Sequence, residues 1–260
     1  MSNTLQLVIP MSGKGSRFEK AGYAFPKPLI SVNGEPMITL VTRNLLCKCE
    51  QDLKVIYICQ EEHYNQFDLE NVLRRTVESH PESKAEAKII RIKGITQGAA
   101  CTVLMAKDVI DPNLPLMIAN SDQYIFKPVM CTWHDVINMS ENDGEIMVFN
   151  SNHPKWSYVR LEEDRVIEVA EKKVISEFAT TGIYWWRRAG DFIESAEEMI
   201  KKDIRYNNEF YIAPTYNEMI LKGKKISIME IKPNLMCGLG TPEDLNAYLN
   251  EYKENETIRG

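Results

Sequence analysis

Between Val8 and Met37 the chain reads VIPMSGKGSRFEKAGYAFPKPLISVNGEPM, a stretch dense in small, basic and proline residues. Ser12, Gly13, Gly15 and Ser16 follow an apolar run at the point where a strand would end. Glycines there permit φ > 0 and close approach of a ligand, so consecutive amides can turn inward as a concave anion site. Lys14 and Arg17 add full positive charge that amides lack. The combination reads as a phosphate cradle. It has neither the Gly-Lys-Ser/Thr ending of a Walker loop nor the third glycine of the dinucleotide fingerprint. Further on, Pro26 and Pro28 fix their own φ and restrict the residue before each, which predicts that Lys27 is held on a rigid, extended turn. Taken singly, the glycine loop or the lysine could be a solvated surface turn; it is their joint spacing that points to phosphate chemistry.

A lone acid occupies a second suggestive place. Leu114 to Ala119, LPLMIA, is apolar throughout and runs into Asn120-Ser121-Asp122. A carboxylate at the end of such a strand can hold a hard cation such as Mg²⁺ against the phosphates of a bound nucleotide, or it can cap the turn. The histidines form no Ser-His or Cys-His arrangement, so covalent catalysis has no evident nucleophile and base.

The succession Gly-x-Gly-x-Arg, then Pro-Lys-Pro-Leu, Val32, Gly34 and Pro36 resembles the signature of the nucleotidyltransferases that make nucleotide-activated sugars and related phospho-alcohols. That resemblance implies a GT-A-like fold. It also implies transfer of a nucleotidyl group from a nucleoside triphosphate to a phosphorylated small molecule, either a sugar 1-phosphate or a phosphocholine-like phospho-alcohol. Mg²⁺ would be the cofactor and pyrophosphate the leaving group, as in nucleotide-sugar synthesis for a capsule or other cell-surface polysaccharide. It gives Arg17 and Lys27 catalytic roles, makes Met11, Ser12, Gly13, Lys14, Gly15 and Ser121 nucleotide contacts, and assigns the metal to Asp122.

Thr96-Gln97-Gly98-Ala99-Ala100 resembles the same family's base-recognition element, with Gln97 offering its amide to the base edge and Gly98 leaving room for the ring. A Gln amide donates and accepts at once, as a pyrimidine edge requires, although the same residues would serve as a plain helix start. Glu171-Lys172-Lys173 resembles the Glu-Lys-Pro acceptor element, with Lys173 in place of the proline. Lys172 would neutralise the acceptor phosphate, or belong to a solvated charge run. Thr181-Gly182-Ile183-Tyr184 resembles a strand whose glycine gives the acceptor access, and Glu209 resembles an acidic position near the acceptor or an exposed helix residue.

The chain departs from the family at Met236-Cys237-Gly238-Leu239-Gly240-Thr241, where Gly238 replaces the second metal-binding Asp of a Trp-x-Asp-x-Gly-Thr element. Either Asp122 holds the metal with waters and phosphate oxygens, or Glu168, Glu171 or Glu209 reaches in, or catalysis is altered. Two rival readings accompany the main one. A glycosyltransferase of the same topology would take a nucleotide-sugar donor, but Asn120-Ser121-Asp122 has only one acid of an Asp-x-Asp element. A non-catalytic nucleotide sensor would keep the cradle and lose turnover, and Gly238 is compatible with it.

The elements that must position these residues alternate. Leu5 to Ile9, Leu53 to Cys59, Ala87 to Ile92 and Leu114 to Ala119 read as strands; the pattern from Pro36 to Leu46, Glu61 to His80 and Gly98 to Val109 reads as helix. Such alternation predicts an α/β fold, Rossmann-like and doubly wound, with a mixed, mostly parallel sheet and ligands outside the carboxyl ends of its strands. In the second half, Ile146–Asn150, Tyr158–Leu161, Val166–Ala170, Phe178–Trp186 and Lys225–Ile231 read as strands, and Arg187–Lys202, Asn208–Lys222 and Thr241–Tyr252 as helices. A single domain over 1–260 is expected, with 1–125 as a nucleotide-binding half and 126–260 as an acceptor-binding half.

Composition bounds the rest. At 260 residues, 44% hydrophobic and 26% charged, the chain has the make-up of one large folded domain. A net charge of −6 argues against nucleic acid or an anionic membrane as partner, and favours a small ligand met by local cations. Cys47 and Cys49 form only a Cys-x-Cys pair without a second pair nearby, so structural zinc is not expected, and the cysteines read as buried thiols. No apolar run has membrane-spanning length, which makes a cytoplasmic location the expectation. Whether copies assemble into a homo-oligomer stays open at this point.

Overall fold

Strand β1 (Thr4–Pro10) is buried because side chains of both parities are apolar: Leu5, Leu7 and Ile9 enter one core layer and Val8 the other. Its one buried polar side chain, Gln6, is satisfied twice by the backbone of Asp111, donating at 2.9 Å and accepting at 2.8 Å. The structure, a computed structural model, describes residues 4–46, 52–80 and 84–259. The Cys47 and Cys49 pair lies outside the described residues.

After β1 come α1 (Ser16–Lys20), a 3-10 turn (Lys27–Leu29), the ribbon β2 (Ser31–Val32) and β3 (Glu35–Pro36), α2 (Met37–Leu45) and β4 (Asp52–Gln60). Then follow α3 (Glu61–Gln66), α4 (Leu69–Glu78), β5 (Ala85–Ile92), α5 (Ala99–Leu104), β6 (Leu116–Ala119), β7 (Gln123–Ile125) and α6 (Lys127–Met139). The second half holds β8 (Gly144–Asn150), β9 (Ser157–Glu162), β10 (Arg165–Glu171), β11 (Phe178–Trp186), α7 (Ala189–Lys201), α8 (Thr215–Leu221), β12 (Ile226–Ile231), β13 (Met236–Gly238) and α9 (Pro242–Arg259).

One mixed sheet runs in the order β10-β9-β11-β6-β1-β4-β5, with β8 and β12 joined to it through β11. Strand β1 pairs in parallel with β4 on one side, Leu7 opposite Val55, and with β6 on the other, Leu7 opposite Met117. The winding reverses at β1, and the crevice this opens lies at the carboxyl ends where the Ser12 loop and Asp122 leave the sheet. Antiparallel β11 carries the sheet into the second half, with Ile183 opposite Ala119. Met37, Val41, Leu73, Trp133 and Leu245 cover one face, while Val103, Phe192, Ala196 and Tyr216 cover the other. Burying each such side chain contributes roughly 1.5–3 kcal/mol. The α/β class with a mixed, doubly wound sheet is therefore the one the alternation implied.

Three helices differ from expectation for local reasons. The Glu61 to His80 segment is two helices, because Asp68 is left-handed with φ 49° and divides them. The helix expected over Gly98–Val109 ends at Leu104 and continues as turns. The helix expected to start at Asn208 starts at Thr215. Asn207 and Asn208 take φ 48° and 63°, and Tyr206 and Glu209 exchange backbone hydrogen bonds at 3.0 and 2.9 Å, which makes a tight hairpin turn of the type that favours asparagine. Helix α6 had no counterpart in the sequence reading, although Met130, Trp133 and Ile137 recur at helical spacing and are buried.

Candidate active site

The loop after β1 is tied down before it opens. Met11 N–H donates to Ile58 at 2.9 Å, and the Gln60 side chain donates to the Ser12 carbonyl at 2.8 Å. Met11 and Ser12 are buried; Gly13 and Lys14 are exposed. Gly15 is left-handed at φ 64°, and a Cβ there would stand 3.2 Å from the Cβ of Lys27, so the loop and the proline turn approach in a way a side chain would impede. Buried Phe18, edge-on to Tyr23 at 5.1 Å, anchors α1 and leaves Arg17 exposed beside the loop.

Lys27 begins a 3-10 turn, closed by Leu29 N–H to Pro26 at 2.8 Å, tighter than the rigid, extended turn the proline spacing had suggested. Pro26, with ψ 147°, and Ile30, with ψ 132°, are extended on either side of the turn. The turn aims Lys27 Nζ at Asp122 Oδ2, 2.9 Å away. Asp122 is held from the C-terminal side as well. Leu239 N–H donates to its carbonyl at 2.8 Å, and β13 pairs with β7 immediately beyond it, Gly238 opposite Gln123. A Cβ at Gly240 would lie 2.6 Å from Asp122 Oδ2, so the carboxylate occupies space that glycine leaves.

Two adjoining cavities flank this ion pair. One of about 520 Å³ is lined by the residues from Met11 to Arg17 with Lys27, Gly98 and Ser121. The other, of about 330 Å³, is lined by Asp122, Lys172, Gly182 and residues of β9 to β11. Arg17, Ala99, Glu209, Tyr211 and Gly240 border both. Every sequence-expected residue but one thus borders this crevice. Gln97 is exposed and lines neither cavity; its carbonyl instead accepts from Phe210 N–H at 2.8 Å. Gly98 borders the loop cavity and also lies at a backbone crossing. A Cβ on it would meet Phe210 O at 2.4 Å and N at 2.5 Å, so glycine admits the crossing of a second backbone.

The second cavity joins the expected Glu171, Lys172 and Gly182 to residues that motif reading missed, among them Ser157, Lys155, Trp156, Gln123, Tyr211 and Asp244. Glu171, at the end of β10, is buried and accepts a hydrogen bond from Ser157. Burial pushes its carboxyl above the usual carboxylate range, only partly offset by that bond and by the Lys172 charge. Lys172 is left-handed at φ 50°, and its Nζ donates to the Tyr211 hydroxyl at 2.7 Å. Lys155 lies over the Trp156 ring at 4.7 Å and pairs with Asp244 at 3.2 Å. Gly182, at φ 85°, lies against Asn120 and Gln123, where a Cβ would come within 2.4 Å of both side chains, and the buried Gln123 Oε1 has no protein partner. Cys59 is buried, while Cys101, Cys131 and Cys237 are half-buried and stand outside the chemistry.

For a hard divalent cation the donors are few but suitable. Among the described residues no group of three or more His, Cys, Asp or Glu side chains could hold a metal. Asp122 offers oxygen donors beside the Met11–Arg17 loop, which fits Mg²⁺ bound through one or two carboxylates with phosphates and waters completing the shell. Of the further acids considered, Glu168 is paired with Arg160 at 2.5 Å and lines neither cavity, whereas Glu171 and Glu209 do line them. The atoms nearest the space a side chain at Gly238 would fill belong to Asp244, whose Oδ2 would be 3.6 Å from that Cβ.

The crevice thus has the Met11–Arg17 loop on one wall and residues of β9 to β11 on the other. The nucleotidyl transferase family matches residues 7–237, and the chain belongs to that family. Its fold is similar to a nucleoside-diphosphate-sugar pyrophosphorylase from Vibrio cholerae, at 26% identity and TM-score 0.77 over 94% of this chain and 99% of that one. It is also similar to an inositol-1-phosphate CTP transferase from T. maritima, at 14% identity and TM-score 0.73 over 95% and 93% of the two chains. A UDP-glucose pyrophosphorylase complexed with UDP-glucose superposes with TM-score 0.73 at 17% identity over 97% and 99%. The latter two likenesses bear on the fold. No curated protein matches the chain. No helix among the described residues is long and apolar enough to cross a membrane.

Proposed function

We propose that the chain transfers a nucleotidyl group from a nucleoside triphosphate to a phosphorylated small molecule and releases pyrophosphate. The observation that carries this is the Lys27–Asp122 ion pair, in which the lysine borders the loop cavity and the acid borders the neighbouring one. A triphosphate laid on Met11 to Gly15 would bring its reacting end to that pair. An acceptor phosphate oxygen arriving from the other cavity would then attack the α-phosphorus, and the bond to the β-phosphate oxygen would break.

Such a reaction needs no protein nucleophile, because the acceptor brings its own. The chain supplies placement and charge. Arg17 borders both cavities and neutralises the triphosphate; Lys27 faces the reacting phosphates; Lys172 takes the acceptor's anionic group, with Gly182 and Glu209 bounding the acceptor. Gln97 reaches a base only from the exposed rim. Mg²⁺, held by Asp122 and the nucleotide, would neutralise phosphate charge.

A panel crossing the common nucleoside triphosphates with sugar 1-phosphates, phosphocholine and other small phosphorylated compounds tests the reading by pyrophosphate release. One productive pair is expected. Release from no pair, or consumption of a nucleotide-sugar donor without pyrophosphate, would refute it.

A further inference from the structure

Tyr211 stands where the two cavities meet and borders both. Its hydroxyl accepts from Lys172 Nζ at 2.7 Å and donates to Glu209 Oε2 at 2.7 Å. The same ammonium is 4.6 Å from the centroid of the Tyr211 ring and 5.5 Å from that of Tyr206. With 2.7 Å to the hydroxyl and 4.6 Å to the centroid, the ammonium sits at the oxygen end of the ring, so the hydroxyl is Tyr211's hold on Lys172. The lysine is also aimed from its own backbone. Its left-handed φ of 50° costs energy for a residue with a Cβ, and its N–H is fixed to the Trp156 carbonyl at 3.0 Å.

The segment bearing Tyr211 is fastened on the opposite side to the loop cavity. Phe210 N–H donates to Gln97 and Phe210 accepts from Ala100 N–H at 3.0 Å, through the gap that Gly98 leaves. Burial, with the nearby Glu209 and Glu171 carboxylates, pushes the Tyr211 phenol up, so it stays a donor throughout the neutral range. A hydroxyl that is both donor and acceptor fixes the order cation, phenol, carboxylate.

Resting on the nucleotidyl-transfer reading, we propose that Tyr211 is a positioning residue that holds the Lys172 ammonium toward the acceptor's anionic group and references it to the 97–100 segment beside the nucleotide. Tyr211 touches neither reacting atom; it acts through Lys172. A phenol that merely filled space would be replaced by phenylalanine without consequence for that lysine.

Two variants separate these roles. Tyr211→Phe keeps the ring and removes the hydroxyl, and Tyr211→Leu removes both. The first readout needs no turnover: trace acylation of amines with acetic anhydride, read by mass spectrometry as the ratio of Lys172 to the exposed Lys173 beside it. The ratio should rise several-fold in Tyr211→Phe and further in Tyr211→Leu. The second readout is kinetic, with the triphosphate and acceptor that the pyrophosphate panel identifies. Acceptor KM should rise about tenfold in Tyr211→Phe, as expected for one hydrogen bond to a charged group, while nucleotide KM stays within about twofold. An unchanged labelling ratio in Tyr211→Phe, or an equal rise of both KM values, would overturn the proposal. If the wild-type chain released no pyrophosphate, the reaction assigned above would fail, and the labelling ratio alone would still decide whether Tyr211 holds Lys172.

Discussion

Gly98→Ala is the substitution whose cost follows most directly from the backbone. An added Cβ would stand 2.4 Å from Phe210 O and 2.5 Å from Phe210 N, and these are main-chain atoms that no rotamer change can move aside. The residue also has φ 121°, a conformation alanine resists. Relief requires the 210 segment to withdraw, which breaks the Phe210–Gln97 and Ala100–Phe210 hydrogen bonds. Two such bonds are worth about 1 kcal/mol each, and backbone strain adds about 1–3 kcal/mol, so the loss should be roughly 3–5 kcal/mol. For a chain of this size that lowers Tm by about 6–20 °C. Urea unfolding of wild type, Gly98→Ala and Gly13→Ala measures it, the last being a control because no atom lies within 4 Å of a Cβ at Gly13. Acceptor-dependent turnover should fall in the same variant, since Glu209 and Tyr211 move with the displaced segment. A Gly98→Ala protein within about 1 kcal/mol of wild type would show that the crossing is looser than these distances require.

Charge removal at the cradle gives a second expectation: Arg17→Ala and Lys27→Ala should each lower kcat/KM by about 10²–10³ with little change in Tm, and near wild-type kinetics in either would remove that residue from the chemistry. For the metal, calorimetric titration of Mg²⁺ into nucleotide-free protein should show little heat, and the same titration with the productive triphosphate present should saturate. Asp122→Asn should abolish that saturation and turnover together; tight binding without nucleotide would point to a fuller carboxylate site than Asp122 and its neighbours. Glu171 makes a pH prediction. Burial raises its carboxyl pKa in the folded state, so its contribution is intact at low pH and is lost as pH climbs from about 4.3 through the raised folded value. Glu171→Gln should therefore gain Tm relative to wild type as pH increases over that window, and a pH-independent difference would contradict the burial argument.

What could be read from sequence was what lies in consecutive residues. The loop from Met11 to Arg17, the Lys27 turn and Asp122 each sit within a few positions of a strand end, and the structure gathers them into one crevice. Trp156, Gln123, Tyr211 and Asp244 arrive from separate elements; Gln123 and Tyr211 stand beside the singled-out Asp122 and Glu209, but no motif assigns them a part. The sequence reads Gly98 as space for a ligand; that it also makes room for Phe210 is carried only by a contact more than a hundred positions away. The Asn207-Asn208 pair did carry a local signal. Read as turn residues, they would have stopped the helix expected from Asn208 and placed Glu209 in a hairpin.

The short β7–β13 ribbon sets an order on how the crevice is completed during synthesis. Strands β1, β4 and β5 can pair as soon as residues 4–92 have been made, and β6 can join them shortly afterward. The wall behind Asp122 cannot form then, because its partners Gly238, Leu239 and Gly240 are translated more than a hundred residues later. An emerging chain would thus present a phosphate loop without the backing that orients the acid. The crevice is complete only once the late segment has folded back across the sheet.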